Sequence, residues 1–172
     1  WVNITRRKTA ELRAAEDRDL FHTLIEHIPD SIYFKNRESR FVLANTATAN
    51  KLGVPTPADL TGRTDDYFFD QTMSDVSRKE ELDIMATGRP IRARLHHETW
   101  LHKDDSWSQI SKFPWYGRNG ELKGIVGISS DVTKLVKTEI KATETARILE
   151  ERNKSLEKEI DLAREIQFAL LP

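Results

Sequence analysis

Cysteine is absent from the 172 residues. That excludes a disulfide framework, a thiolate metal site and any adduct through a cysteine sulfur, and it accords with a reducing compartment. An excess of either charge is also missing: 27 lysines and arginines stand against 28 aspartates and glutamates, well mixed, for a net charge of −1. Neither nucleic acid nor an anionic membrane surface is therefore expected as a partner. No apolar run approaches the roughly 18 residues that span a bilayer, and no signal peptide opens the chain, so a soluble, cytoplasmic protein is expected. A glycine-rich phosphate loop is lacking too. Asp65-Asp66 and Asp104-Asp105 read as loop and turn residues, so no catalytic centre is expected. With 38% hydrophobic and 32% charged residues, the composition allows one domain with a modest core, plus extensions.

What is present falls into three zones: 1–29, 30–131 and 132–172. In the first, Leu12, Ala15, Leu20, Phe21, Leu24, Ile25 and Ile28 recur at helical spacings from Thr9 to Ile28, and Pro29 ends the helix. In the second, Ser31–Lys35 and Arg40–Ala44 are β-rich runs joined by Asn36-Arg37-Glu38-Ser39, a predicted hairpin. Asn45 can cap a short helix that reaches Leu52 and stops at Gly53. Loops with one-turn helices fill Pro55–Asp66, a longer helix is predicted over Asp70–Thr87 with Gly88 beyond it, and three strands follow at Ile91–His102, Ser106–Trp115 and Leu122–Ser130. From Val132 neither proline nor glycine occurs until Pro172. A heptad frame runs through Val132, Leu135, Glu139, Ala142, Ala146, Leu149, Asn153, Leu156, Ile160, Ala163, Gln167 and Leu170. Asn153 falls at an a position, a pattern that favours two parallel strands, so a weak coiled coil and a parallel homodimer are expected, with Leu135, Leu149, Asn153, Leu156 and Ile160 in the seam.

The segments Ile28–Lys35, Ser39–Asn45 and Gly62-Arg63-Thr64-Asp65 resemble the first half of a PAS sensor domain. Gly120–Thr133, closing in Asp131-Val132-Thr133, resembles its end. The resemblance implies an α+β fold, a five-stranded antiparallel sheet with small helices on one face, flanked by the N-terminal helix and the C-terminal coiled coil. It also implies a pocket between sheet and long helix, possible occupants being a small organic ligand or none. By alternation and family position, Ile32, Phe34, Phe41, Met73, Val76, Leu95, Ile110, Val126 and Ile128 are its candidate lining, or else plain core. Lys35, Asp65 and Asp66 stand near the rim, either to select a ligand or as solvated loop charges. Asp131, Val132 and Thr133 are the expected relay from the last strand into the helix. Asn3-Ile4-Thr5 is a weaker copy of that exit, similar to the end of a preceding domain.

The familiar ligands of such domains can be weighed on residues. Covalent flavin needs a cysteine and is excluded. Haem usually takes a histidine from the long helix, and Asp70–Thr87 has none, so haem is not expected. Noncovalent flavin could stack on Trp100 or Trp107. His96, His97 and His102 lie on one predicted strand, with His97 on the opposite face from the other two; no further ligand accompanies them and no metal site is expected. The final residues, Ala163 to Pro172 with Ile166-Gln167 and Leu170-Leu171-Pro172, resemble the segment that begins sporulation stage II E-like, PPM-type Ser/Thr phosphatases. A sensor regulating a C-terminal phosphatase is the function implied. The alternatives are the input module of a histidine kinase or cyclic-dinucleotide synthase, and a ligand-free dimerisation adaptor.

Overall fold

The computed structural model describes residues 2–169, with side chains from Arg7 onward. Helix α1 (Val2–His27) leads into β1 (Ser31–Asn36), β2 (Phe41–Ala44) and α2 (Thr46–Leu52). One-turn 3-10 helices at Pro57–Leu60 and Asp65–Tyr67 precede α3 (Gln71–Thr87), β3 (Ile91–Glu98), β4 (Ser106–Tyr116), β5 (Leu122–Asp131) and α4 (Thr133–Ala169). The five strands form one sheet in the order β2-β1-β5-β4-β3, each neighbouring pair antiparallel. The first and last strands thus meet at its centre. The chain divides after Val132 into two units, the sheet with α1–α3 and the helix α4.

Local chemistry explains the element ends. Asn45 is fully buried. Its Oδ1 accepts from the backbone N–H groups of Thr48 and Ile32 at 3.0 Å each, capping α2 and holding β1. Its Nδ2 donates to the carbonyl oxygens of Ile25 and Asp30 at 2.8 and 2.9 Å, so one side chain ties the end of α1, β1 and α2 together. Asp70 caps α3 by accepting from Met73 N–H at 2.8 Å. Gly53 and Gly88 close α2 and α3 in the left-handed conformation, φ 73° and 70°, as their C-terminal positions demand.

Several boundaries shift from expectation, and two of the shifts bear on the site and its exit. The third strand stops at Glu98 rather than His102, because the chain turns to pair Trp100 with Phe69 just ahead of α3. Asp70 N–H donates to Thr99 O and Leu101 N–H to Phe68 O. His102 therefore stands in an exposed turn, off the strand. The last strand runs one residue further, through Asp131, and α4 begins at Thr133.

Strand alternation divides the sheet into two faces. One carries Tyr33, Lys35, Phe41, His96, Glu98, Ser108, Ile110, Lys112, Gly127 and Ser129, and meets α2 and α3. Phe41, Ala44, Leu60, Phe68, Phe69 and Met73 form the main apolar cluster there. The other face carries Ile32, Phe34, Trp115 and Val126; Phe21 of α1 meets the Phe34 ring edge-on at 6.4 Å, and Phe34 meets Trp115 at 5.3 Å. Helix α4, taken by itself, has no buried residue among those described, and Leu135, Leu149, Asn153, Leu156 and Ile160 are exposed on it. Leu170-Leu171-Pro172 and the side chains of Asn3-Ile4-Thr5 lie outside the described residues.

Candidate ligand-binding site

Helix α3 turns one stripe toward the sheet: Met73, Ser77, Glu80, Glu81 and Ile84, at the three- and four-residue spacings that share a helix face. The sheet answers with Lys35 from β1 and Lys112 from β4, both 1% exposed. Lys35 Nζ donates to Asp65 Oδ1 and Glu81 Oε1, each at 2.7 Å. Ser77 Oγ donates to Asp65 Oδ2 at 2.6 Å and accepts from Lys112 Nζ at 3.0 Å. Lys112 also reaches Glu80 Oε2 at 3.0 Å, and the other Glu80 oxygen takes Arg94 at 2.8 Å and His96 Nε2 at 3.1 Å. A second knot sits at the far end of the strands. Lys51 Nζ contacts Glu98 Oε1 (2.7 Å), Ser108 Oγ (2.7 Å) and Ser129 Oγ (2.8 Å).

The network holds Lys35, Asp65 and Glu80 in their charged forms. Burial draws the Lys35 ammonium down, but the carboxylates of Asp65 and Glu81 outweigh it and raise its pKa. Burial pushes the Asp65 carboxyl up, and Lys35 with the Ser77 hydrogen bond more than reverses that. For Glu80 burial is likewise overcome, by His96 and Lys112, and its pKa falls to about 2. The Tyr33 hydroxyl is held well above its ordinary value by burial first and the nearby carboxylates second. Tyr33 lies flat across Gly127, its partner on β5: a Cβ there would come within 2.2 Å of the ring.

Between these groups a cavity of about 40 Å³ is bordered by Tyr33, Phe41, Met73, Ile110, Lys112 and Glu98. That holds a few water-sized groups, against roughly 300–1,000 Å³ for ordinary small-molecule sites. With the side chains as they stand, this cavity does not hold a flavin or haem. Of the nine candidate lining residues, Phe41, Met73 and Ile110 border this cavity. Ile32, Phe34, Val126, Ile128 and Leu95 are on the opposite face of the sheet, and Val76 faces outward on α3, 44% exposed. The inner face is polar on β1, β3 and β5, so an apolar-inside reading slips by one residue there and inverts the positions chosen on those three strands. Lys35 and Asp65 are central to the network rather than at its rim. Lys51, Ser77, Glu80, Glu81, Glu98 and Lys112 were missed, although Ser106, Ser108, Ile110 and Lys112 alternate in the sequence as one strand face must.

The histidines do not converge. His96 pairs with Glu80, whereas His97 stacks on Trp107 at 4.6 Å and lies 3.2 Å from Asp105. No group of three His, Cys, Asp or Glu side chains among the described residues is placed to hold a metal ion. Trp100 packs on Phe69 at 4.2 Å and donates to Ser106 Oγ, while Trp107 is on the outer face.

The sheet order and the helices packed on it agree with comparison to known proteins. Residues 25–137, well over half the chain, match the family described as PAS fold. The chain belongs to the PAS family. Membership places it among non-catalytic sensor modules. A methanogenesis regulatory histidine kinase of Methanothrix harundinacea is 23% identical over 75% of this chain, and a diguanylate cyclase of Vibrio cholerae 28% identical over 73%. The chain spans only 14% and 39% of those relatives' lengths. Among solved structures, the VqmA–ligand–DNA complex of Vibrio cholerae superposes with a TM-score of 0.59 at 22% identity, covering 69% of this chain and 51% of that one. This PAS domain is thus of a fold that also occurs in a DNA-bound protein, which corrects the expectation that nucleic acid is excluded: balanced charge alone does not exclude it. The expected parallel homodimer is not shown by these comparisons. Among the described residues no helix is long and apolar enough to cross a membrane.

Proposed function

We propose that the chain is the signal-input module of a longer cytoplasmic regulatory protein, and that the buried ion network is the part that responds. The supporting observation is the charged interior itself, with Lys35, Lys112, Glu80 and Glu81 where a constitutive adaptor would place apolar side chains. Replacing buried ion pairs by hydrophobic residues is commonly neutral or stabilising, so their presence calls for a role beyond stability. A ligand or proton that captures one carboxylate forces a lysine to re-pair. The shift persists only if the two pairings bind that ligand with different affinity.

The proposed exit is Asp131-Val132-Thr133. Ser129, held by Lys51, lies two residues before Asp131, which pairs with Ser108 across the sheet. Val132 N–H donates to Trp107 O at 2.8 Å, immediately before α4. For the output, the tail from Ala163 favours a PPM-type phosphatase, while the two curated relatives favour a histidine kinase or diguanylate cyclase. Assaying the full-length protein for phosphopeptide hydrolysis, autophosphorylation and conversion of GTP to a cyclic dinucleotide decides among them. In that protein Lys51→Met is expected to change the output, and to change nothing further once Asp131→Ala is present. Output unaffected by Lys51→Met, or equal effects in both backgrounds, overturns the reading.

A further inference from the structure

A second cleft, of about 300 Å³, opens where the β1–β2 turn, the Thr64–Asp66 segment and α3 come together. Three buried side-chain polar atoms among the described residues have no hydrogen-bond partner within the chain: Ser39 Oγ, Ser74 Oγ and Glu81 Oε2. All three belong to residues that line this cleft. Their residues are 4%, 2% and 0% exposed, so bulk water does not satisfy them. Leaving even one such group unmatched is costly, and three at one place is an arrangement that a bound group would resolve.

The chemistry of that group follows from the lining. A carboxylate oxygen only accepts, and each serine hydroxyl can accept, which matches a ligand rich in N–H donors. Five carboxylates surround the cleft, Glu38, Asp65, Asp66, Asp75 and Glu81, against the single base Arg78. The potential therefore favours a cation. The absence of a metal-holding cluster among the described residues turns the choice from an ion to an organic molecule. The volume is at the lower end of small-molecule sites.

We propose that this cleft binds a small organic cation through a primary ammonium group, which parts the side chains now closed over Glu81 Oε2, Ser39 and Ser74 and takes those three as its acceptors. Glu81 Oε1 is the atom that holds Lys35 at 2.7 Å. A bound ammonium on Oε2 competes for the same carboxylate and leaves Lys35 more to Asp65, which carries occupancy of the cleft into the network. That consequence rests on the sensor reading; binding itself does not.

The test uses the 172-residue chain and 1,4-diaminobutane as probe, with a bis-quaternary trimethylammonium compound of equal charge and similar length as control. Calorimetry and thermal melting are expected to show saturable binding and a rising midpoint for the diamine only. Ser74→Ala removes an unmatched buried hydroxyl, so it is expected to keep or raise the melting point of the free protein while weakening the diamine about tenfold. Glu81→Gln is expected to abolish binding, and Ser74→Ala keeps the proposal testable should that variant not fold. Equal responses to both compounds, no response to either, or undiminished binding by Ser74→Ala would each overturn the site. Diamine binding that leaves full-length output unchanged would instead overturn the coupling to the sensor.

Discussion

Lys35 shows how much a single buried charge can demand of its surroundings. Its ammonium is 1% exposed and held by two carboxylates at 2.7 Å, and each of those is itself buried. Truncating it to an apolar side chain would leave Asp65 and Glu81 facing one another with the lysine's charge gone. Lys35→Met is therefore expected to destabilise by about 3–5 kcal/mol, the range seen when one partner of a buried pair is removed. Adding Asp65→Asn and Glu81→Gln, which neutralise both carboxylates, is expected to recover a large part of that loss. Urea unfolding of the single and triple variants checks it; equal stabilities would mean that the network is solvated. In the sequence Lys35 and Asp65 were legible as members of one region, since both stand in segments similar to the family. Their pairing was not, because thirty residues separate them and each charge by itself reads as solvated.

At the scale of elements, the caps and stops were readable and the faces were not. Asn45, Gly53 and Gly88 act through the backbone within a few residues, so their positions carry over directly from sequence to structure. The inward face of a strand depends on what packs over it. Tyr-Phe-Lys at 33–35 offers an apolar Phe34 between a tyrosine and a lysine, and the ordinary assumption sends Phe34 inside. Here α1 reaches the second face of the sheet through Phe21, which gives Phe34 an apolar partner there, and the polar network takes the face beneath α3. Phe34 then belongs to the α1 contact with Phe21 and Trp115. Phe34→Ala is expected to cost about 1–3 kcal/mol, less than a fully buried ring. It is also expected to speed amide exchange in the second half of α1, with α3 unchanged. Faster exchange in α3 instead would mean that Phe34 borders the site after all.

For the molecule as a whole, the response to acid follows from these same groups, since 27 basic and 28 acidic residues leave little net repulsion near neutrality. Glu80 falls from its ordinary 4.5 to about 2 in the folded protein. A carboxyl lowered on folding contributes stability that is fully present above its unfolded value and is lost as pH falls through the folded one. Asp65 is lowered too and acts in the same direction. Lys35, raised above its ordinary 10.5, contributes stability that is complete below that value and lost only as pH rises past it. The groups facing Glu80 are Lys112 on β4 and Arg94 and His96 on β3, with Glu81 beside it on α3. The melting temperature is expected to hold from neutrality to about pH 5, then to drop between pH 4.5 and about 2 as Glu80 takes up its proton. Glu80→Gln is expected to start lower at pH 7 and to follow a shallower slope through that window. Its curve should converge on that of the unaltered protein only below about pH 2, where the Glu80 carboxyl also becomes neutral. Parallel curves for the two proteins would show that Glu80 titrates as an ordinary exposed carboxylate and that its ties to His96 and Lys112 contribute nothing in solution.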